Sequence, residues 1–141
     1  LFLFFYLFFE FIFGIFGSIC QISLQKTFLY KKTKKVVANM KKANLVGVAS
    51  TGMVLCGVDK ETGATELVDP PADAEIGEIV FVDGFNGTPL SESQEKKKKA
   101  WRKLQPQLGT NDKRVCVWED KALMCKSGPC TVASLTGAML K

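Results

Sequence analysis

Between residues 36 and 82 the apolar residues come in four short runs, each cut off within a few positions by Gly, Pro or a polar turn. The runs are VVANM (Val36 to Met40), GMVLC (Gly52 to Cys56), TELV (Thr65 to Val68) and EIVFV (Glu78 to Val82). Runs of this length suit strands and are too short for a stable helix. Asp69-Pro70-Pro71 stops the third, because proline cannot donate to a ladder, and Asp83-Gly84 turns the chain after the fourth. Lys41 to Asn44 reads as the loop after the first run. Short strands at such intervals favour a small barrel or sandwich.

Ser93 to Gln105 changes character: it has no Gly or Pro and is rich in Glu, Gln, Lys and Ala. Trp101 and Leu104 recur at i, i+3, with Lys97 one turn earlier. The pattern predicts one amphipathic helix, capped by Ser91 or Ser93 and ended by Pro106. Glu95 falls in its first turn, where a carboxylate suits the helix dipole. Arg114 to Trp118, Ala122 to Cys125 and Thr131 to Ala133 read as further strands, with a Glu119-Asp120 turn between the first two.

The front of the chain is unlike the rest. Leu1 to Leu24 is nearly all apolar, and residues 1–30 hold nine of the eleven Phe. As a helix that stretch is long enough to span a bilayer. Lys31, Lys32, Lys34 and Lys35 follow, which would leave residues 31–141 in the cytoplasm. Against a span stand Glu10 near its middle, where a carboxylate is costly, and the unusual Phe density. The chain opens on Leu1 rather than Met, as a fragment would. Residues 1–30 therefore read as a hydrophobic segment mis-joined to the fold, as a membrane segment, or as a structured part of the fold.

Charge and composition narrow the chemistry. Residues 31–141 carry 18 Lys+Arg against 13 Asp+Glu, so the whole net charge of +5 lies there. The chain has no His, which excludes Ser-His-Asp triads, Cys-His pairs, HExxH zinc sites and C2H2 fingers. Cys20, Cys56, Cys116, Cys125 and Cys130 are odd in number and lack a CxxC, which argues against a disulfide framework or zinc ribbon. Cys56 and Cys116 lie in apolar runs and read as small buried residues. Ser50, Ser127 and Ser134 have no GxSxG context, and there is no Walker A or GxGxxG motif. Asp83, Asp112, Glu119 and Asp120 all fall in turns and read as solvated acids. No catalytic residue, metal site or cofactor is expected, and the chain does not read as an enzyme.

Two features point to a polyanion. Lys96, Lys97, Lys98 and Lys99, followed by Arg102 and Lys103, would cover the helix face left free by Trp101 and Leu104. Such a face attracts phosphates with strong salt dependence, though it could equally be a solvated surface. Asn39, Lys41, Lys42 and Asn44 sit beside the first strand, where cations and amides can hold a nucleic-acid backbone or base edges, although an ordinary polar hairpin has the same residues.

These residues carry a resemblance. VVANMKKANLVGVASTGMVLC (Val36 to Cys56) is similar to the central stretch of the tRNA-binding OB-fold domain of methionyl-tRNA synthetases and free tRNA-binding proteins. The match runs through Val36-Val37-Ala38-Asn39, Lys41, Gly47-Val48, Ser50 and Gly52-Met53. ELVDPP (Glu66 to Pro71), IGEIVFVDGFNGTP (Ile76 to Pro89), EKKKKAWRKLQPQLGTND (Glu95 to Asp112) and SLTGAMLK (Ser134 to Lys141) resemble one eukaryotic branch. That branch is the endothelial monocyte-activating polypeptide II-like domain of tyrosyl- and plant-type methionyl-tRNA synthetases and of multisynthetase-complex proteins. Order and spacing agree over about residues 35–141.

The resemblance implies a mainly β chain: an OB-fold barrel with a small C-terminal α/β extension. Residues 31–141 would be the tRNA-binding domain, with the barrel's first strands missing. It implies a cytoplasmic accessory domain that holds tRNA by shape and backbone electrostatics, partnered by an aminoacyl-tRNA synthetase or multisynthetase-complex components. The implied RNA-binding residues are Asn39, Lys41, Lys42, Asn44, Ser50, Met53, Lys96, Lys97, Lys98, Lys99, Arg102 and Lys103. Two departures bear on this. Asn44 and Val46 replace the basic pair of the family pattern, and Lys42 replaces its loop proline. Loss of two cations keeps open a protein-interaction module that no longer binds RNA, and the apolar front keeps open a membrane-anchored protein.

Overall fold

Strands of two to five residues satisfy few polar groups alone, so this fold depends on which strand lies beside which. The computed structural model describes residues 5–8, 34–38, 42–45, 48–50, 52–85 and 89–141. In chain order the strands are β1 (Phe5–Phe8), β2 (Lys34–Val37), β3 (Ala43–Leu45), β4 (Val48–Ser50), β5 (Met53–Val54), β6 (Cys56–Val58), β7 (Thr65–Leu67) and β8 (Phe81–Val82). Two short helices follow, α1 (Glu92–Lys98) and α2 (Ala100–Leu104), with a 3-10 turn over Gln105–Gln107. Then come β9 (Leu108–Thr110), β10 (Cys116–Trp118), β11 (Lys121–Cys125), β12 (Gly128–Pro129) and β13 (Met139–Leu140).

The strand pairings among the described residues are antiparallel. β1, β2 and β5 form one small sheet, and β3 and β4 form a hairpin. The largest sheet runs β12-β11-β10-β9-β13-β6-β7, with β8 also paired to β11. One buried cluster serves the early strands, the helices and the late strands together: it includes Val37, Leu55, Val68, Val80, Ala100, Leu104, Leu123 and Leu140. β13 joins the two parts, lying between β6 and β9 with Leu140 opposite Gly57 and Met139 opposite Val58 and Gly109. Gly109 eases the close approach there, because a Cβ would lie a tight 3.1 Å from the Ala138 carbonyl oxygen.

Side chains lock the ends of this sheet. On β7, Glu66 accepts hydrogen bonds from the Ser134 N–H (2.8 Å), the Leu135 N–H (3.1 Å) and the Ser134 hydroxyl. Partial burial pushes its carboxyl up, but the bonds from Ser134, Leu135 and Ala133 outweigh that and hold it below its ordinary value. Asp59 caps the β6–β7 turn, accepting from Glu61 N–H (2.7 Å) and Thr62 N–H (3.0 Å).

Several expectations change. Phe5–Phe8 pairs with β2 in the register Phe5–Val37 to Phe8–Lys34, so four residues of the apolar front take part in a sheet. Aromatic residues suit a strand beside an otherwise open edge. The remainder of residues 1–30, Cys20 included, lies outside the described residues. No helix among the described residues is long and apolar enough to cross a membrane. The run Gly52 to Cys56 divides between β5 and β6 at buried Leu55. Glu78 to Val82 is strand only at Phe81–Val82, because a turn through Ile76 and Gly77, closed by the Glu78 N–H on the Glu75 carbonyl (3.2 Å), takes up its start. Lys41 to Asn44 is no simple loop, since Ala43 and Asn44 pair with Ser50 and Ala49. Thr131 to Ala133 makes only isolated bridges, from Thr131 to Asp69 and Val115.

Cys116 is a free thiol. Cys116, Cys125 and Cys130 are buried, and the Sγ atoms of the last two lie 3.8 Å apart. Cys56 is only half-buried.

Candidate nucleic-acid interface

The basic run meets a packing conflict. Ala100 and Leu104 are both core residues, one turn apart. On a straight helix Lys96 and Lys97, at i−4 and i−3 from Ala100, would share that buried face. The chain avoids this with a break in place of the single helix expected over Ser93 to Gln105. Lys99 adopts the left-handed conformation (φ 49°, ψ 46°) between α1 and α2. Lys96, Lys97, Lys98 and Lys99 are consequently all exposed, as are Arg102 and Lys103. Lys97 does not join the stripe of Trp101 and Leu104.

Each side of the break is capped. Ser91 accepts from the Gln94 N–H, and the Gln94 side chain accepts from the Ser91 N–H, forming a capping box. The Lys99 N–H closes α1 on the Glu95 carbonyl. α2 has no side-chain cap from Lys99, and Glu95 supplies one from a turn earlier. Its Oε1 accepts from the Trp101 N–H at 3.3 Å, satisfying an orphan donor at the start of α2. Glu95 is only 7% exposed, so this acid points inward while the six cations are exposed. Further on, Gln107 donates to the Lys103 carbonyl (3.2 Å) and accepts from Trp118 Nε1 (2.7 Å), tying the helices to β10. The result is a basic surface on a fixed frame. The sequence reading missed Glu95 and Gln107 as its struts; an acid directly before four lysines was the available signal for the first.

The second group lies on the β3–β4 hairpin. Lys42 and Asn44 are exposed, with Asn44 opposite exposed Ala49. Ser50 is half-buried at the hairpin's end and donates its hydroxyl proton to the Gly52 carbonyl (3.0 Å). Met53, on β5 opposite Val37, packs against the core. Its side chain is thus partly structural. Asn39 and Lys41 lie outside the described residues. The candidate residues therefore fall into two groups, one on the hairpin with β5 and one on the helix pair.

Two other cations are engaged within the fold. Arg114 Nη1 donates to the Ala133 carbonyl at 2.8 Å, and Lys121 Nζ lies 4.4 Å above the Phe85 ring. Phe85 in turn meets Trp118 edge-on at 4.8 Å. The helix-borne cations, by contrast, are all exposed and project from the surface.

Residues 17–79 match the family described as "Putative tRNA binding domain". The chain belongs to this tRNA-binding domain family. It is 33% identical over 106 residues to the cytoplasmic methionine–tRNA ligase of Arabidopsis thaliana, covering 75% of this chain and 13% of the ligase. It is 32% identical over 87 residues to the tRNA-aminoacylation cofactor arc1 of Schizosaccharomyces pombe, covering 62% of this chain and 19% of arc1. Among solved structures it is similar to the C-terminal domain of Plasmodium vivax p43. That likeness has a TM-score of 0.73 at 27% identity and covers 84% of this chain and 72% of the other. The OB-like barrel with its extension is thus the fold class, as the resemblance implied. The chain spans less than a fifth of the length of either curated relative.

Proposed function

We propose that this domain binds tRNA, without catalysing a reaction, and presents it to an aminoacyl-tRNA synthetase in the cytoplasm. The observation that carries this reading is the exposed set Lys96, Lys97, Lys98, Lys99, Arg102 and Lys103, held on capped helices whose opposite face is core. A rigid array of cations suits a phosphate backbone of fixed shape, because little side-chain frame must be ordered on binding. Lys42 and Asn44 add a second polar contact from the hairpin, with Asn39 and Lys41 beside it in sequence. The names of the relatives, a cytoplasmic methionine–tRNA ligase and a tRNA-aminoacylation cofactor, support tRNA and synthetases as partners.

Filter binding of the full chain to unfractionated tRNA, beside an unstructured RNA of equal length, tests the proposal. The expected result is tRNA binding at low salt that exceeds binding of the unstructured RNA at least several-fold. Equal affinity for the two RNAs would refute recognition by shape. No binding to tRNA at low salt would refute the function altogether.

A further inference from the structure

The positive charge of this chain has a counterpart that RNA binding leaves unused. From residue 61 to residue 95 there are nine Asp and Glu and not one Lys or Arg. Within that stretch lie the large hydrophobic side chains exposed among the described residues: Ile76 at 63%, Ile79 at 42% and Phe81 at 41%. Asp73, Glu75 and Asp83, all exposed, flank them.

The patch is held in place rather than loosely displayed. The carboxylate of Glu78 accepts from the N–H groups of Glu75 (3.1 Å) and Lys126, tying the Ile76 turn to the β11–β12 connection. Val80 is buried in the core between exposed Ile79 and exposed Phe81. Phe81 sits on β8, which has β11 as its one strand partner among the described residues. Three apolar side chains fixed on a surface lose water readily to a partner at little ordering cost.

The charge decides what that partner is. A phosphate backbone is repelled by carboxylates on both flanks, so this face does not extend the RNA surface. We infer that Ile76, Ile79 and Phe81, rimmed by Asp73, Glu75 and Asp83, dock a lysine- or arginine-rich amphipathic helix of a protein partner. Apolar residues of that helix cover the hydrophobic trio, and its cations meet the rim. The inference uses none of the residues assigned to tRNA, so either can fail without the other. If both hold, one domain carries RNA on its basic helices and a basic protein segment on its acidic face.

The test uses the full chain and a fluorescent synthetic Leu/Lys helix, apolar at i, i+3, i+4 and i+7, read by anisotropy. A scrambled peptide of the same composition measures charge alone. The amphipathic peptide is expected to bind at least tenfold tighter than the scrambled one. Ile76→Ser/Ile79→Ser, at exposed positions, is expected to weaken peptide binding tenfold or more while tRNA affinity stays within twofold. Glu75→Lys/Asp83→Lys leaves the apolar residues in place and is also expected to weaken the peptide, which keeps the inference testable should the first variant misfold. Equal binding of the scrambled peptide would overturn it, as would undiminished binding by either folded variant. Sedimentation showing a dimer that Ile76→Ser/Ile79→Ser dissolves would overturn it in favour of a second copy as the occupant.

Discussion

The sharpest consequence of the broken helix is a number of phosphate contacts. Within α1, Lys96, Lys97 and Lys98 leave the axis about 100° apart, so roughly two of the three can face one RNA surface. Beyond the break Lys99, Arg102 and Lys103 supply one or two more. About three to four contacts at about 0.7 to 0.9 each give a slope of log K against log salt of roughly −2 to −3.6. Between 50 and 200 mM salt, affinity should then fall roughly 20- to 150-fold. The perturbation is Lys96→Gln/Lys97→Gln/Lys98→Gln/Arg102→Gln. All four side chains are exposed, and Gln is a good helix former, so the frame should persist. Lys99 stays, because its backbone sets the break. Filter binding of tRNA at several salt concentrations should give a slope shallower by about 1.5 to 2.5, with an unchanged circular dichroism melt. A slope that changes by less than about 0.5 in the folded variant would refute the helix pair as the phosphate surface.

Three further outcomes follow from the fold. Lys99→Gly should raise stability by about 0.5–1 kcal/mol in urea unfolding, because the left-handed conformation strains a residue with a Cβ; a loss would mean that the Lys99 side chain itself supports the junction. The Glu66 carboxyl is lower in the folded than in the unfolded chain, so its stabilising effect is complete above its ordinary value of 4.5 and fades as pH falls through the folded value. Glu66→Gln should flatten that acid limb of the stability curve, and a limb as steep as before would contradict it. Burial and the Asp69 charge push the Cys116 thiol up to about 12, so peptide mapping after iodoacetamide at pH 8 should find it modified only when the chain is unfolded.

Much of this architecture is legible in the chain where local pattern and tertiary need agree. Thr65 to Val68 stops at its prolines, Asp83-Gly84 turns, and Ser91 caps, each for a reason local to those residues. The exposed lysine run was equally plain. The break at Lys99 was not, because Lys and Ala are good helix formers and nothing nearby breaks a helix. Only the burial of Ala100 and Leu104 forces the chain to turn there, and that is a tertiary fact. β9 and β13 are short, and β9 contains Gly109; they become strands because each completes the other's ladder. The hairpin hid in a polar stretch for a similar reason: Ala43 and Asn44 look like loop until Val48–Ser50 lies alongside.

The order in which this chain is made adds a constraint that its finished form conceals. β6 finds its neighbour β13 about 80 residues later. At synthesis rates of about 5–20 residues per second, β6 waits roughly 4 to 16 s for that strand to be translated. Through that interval Cys56–Val58 has β7 on one side and an open edge on the other. Closure of so distant a pair is intrinsically slow, and open edges recruit other chains. A nascent chain of this kind therefore gains from a chaperone at its early strands, and loss of Met139 and Leu140 would hurt yield in the cell more than the burial of two side chains suggests.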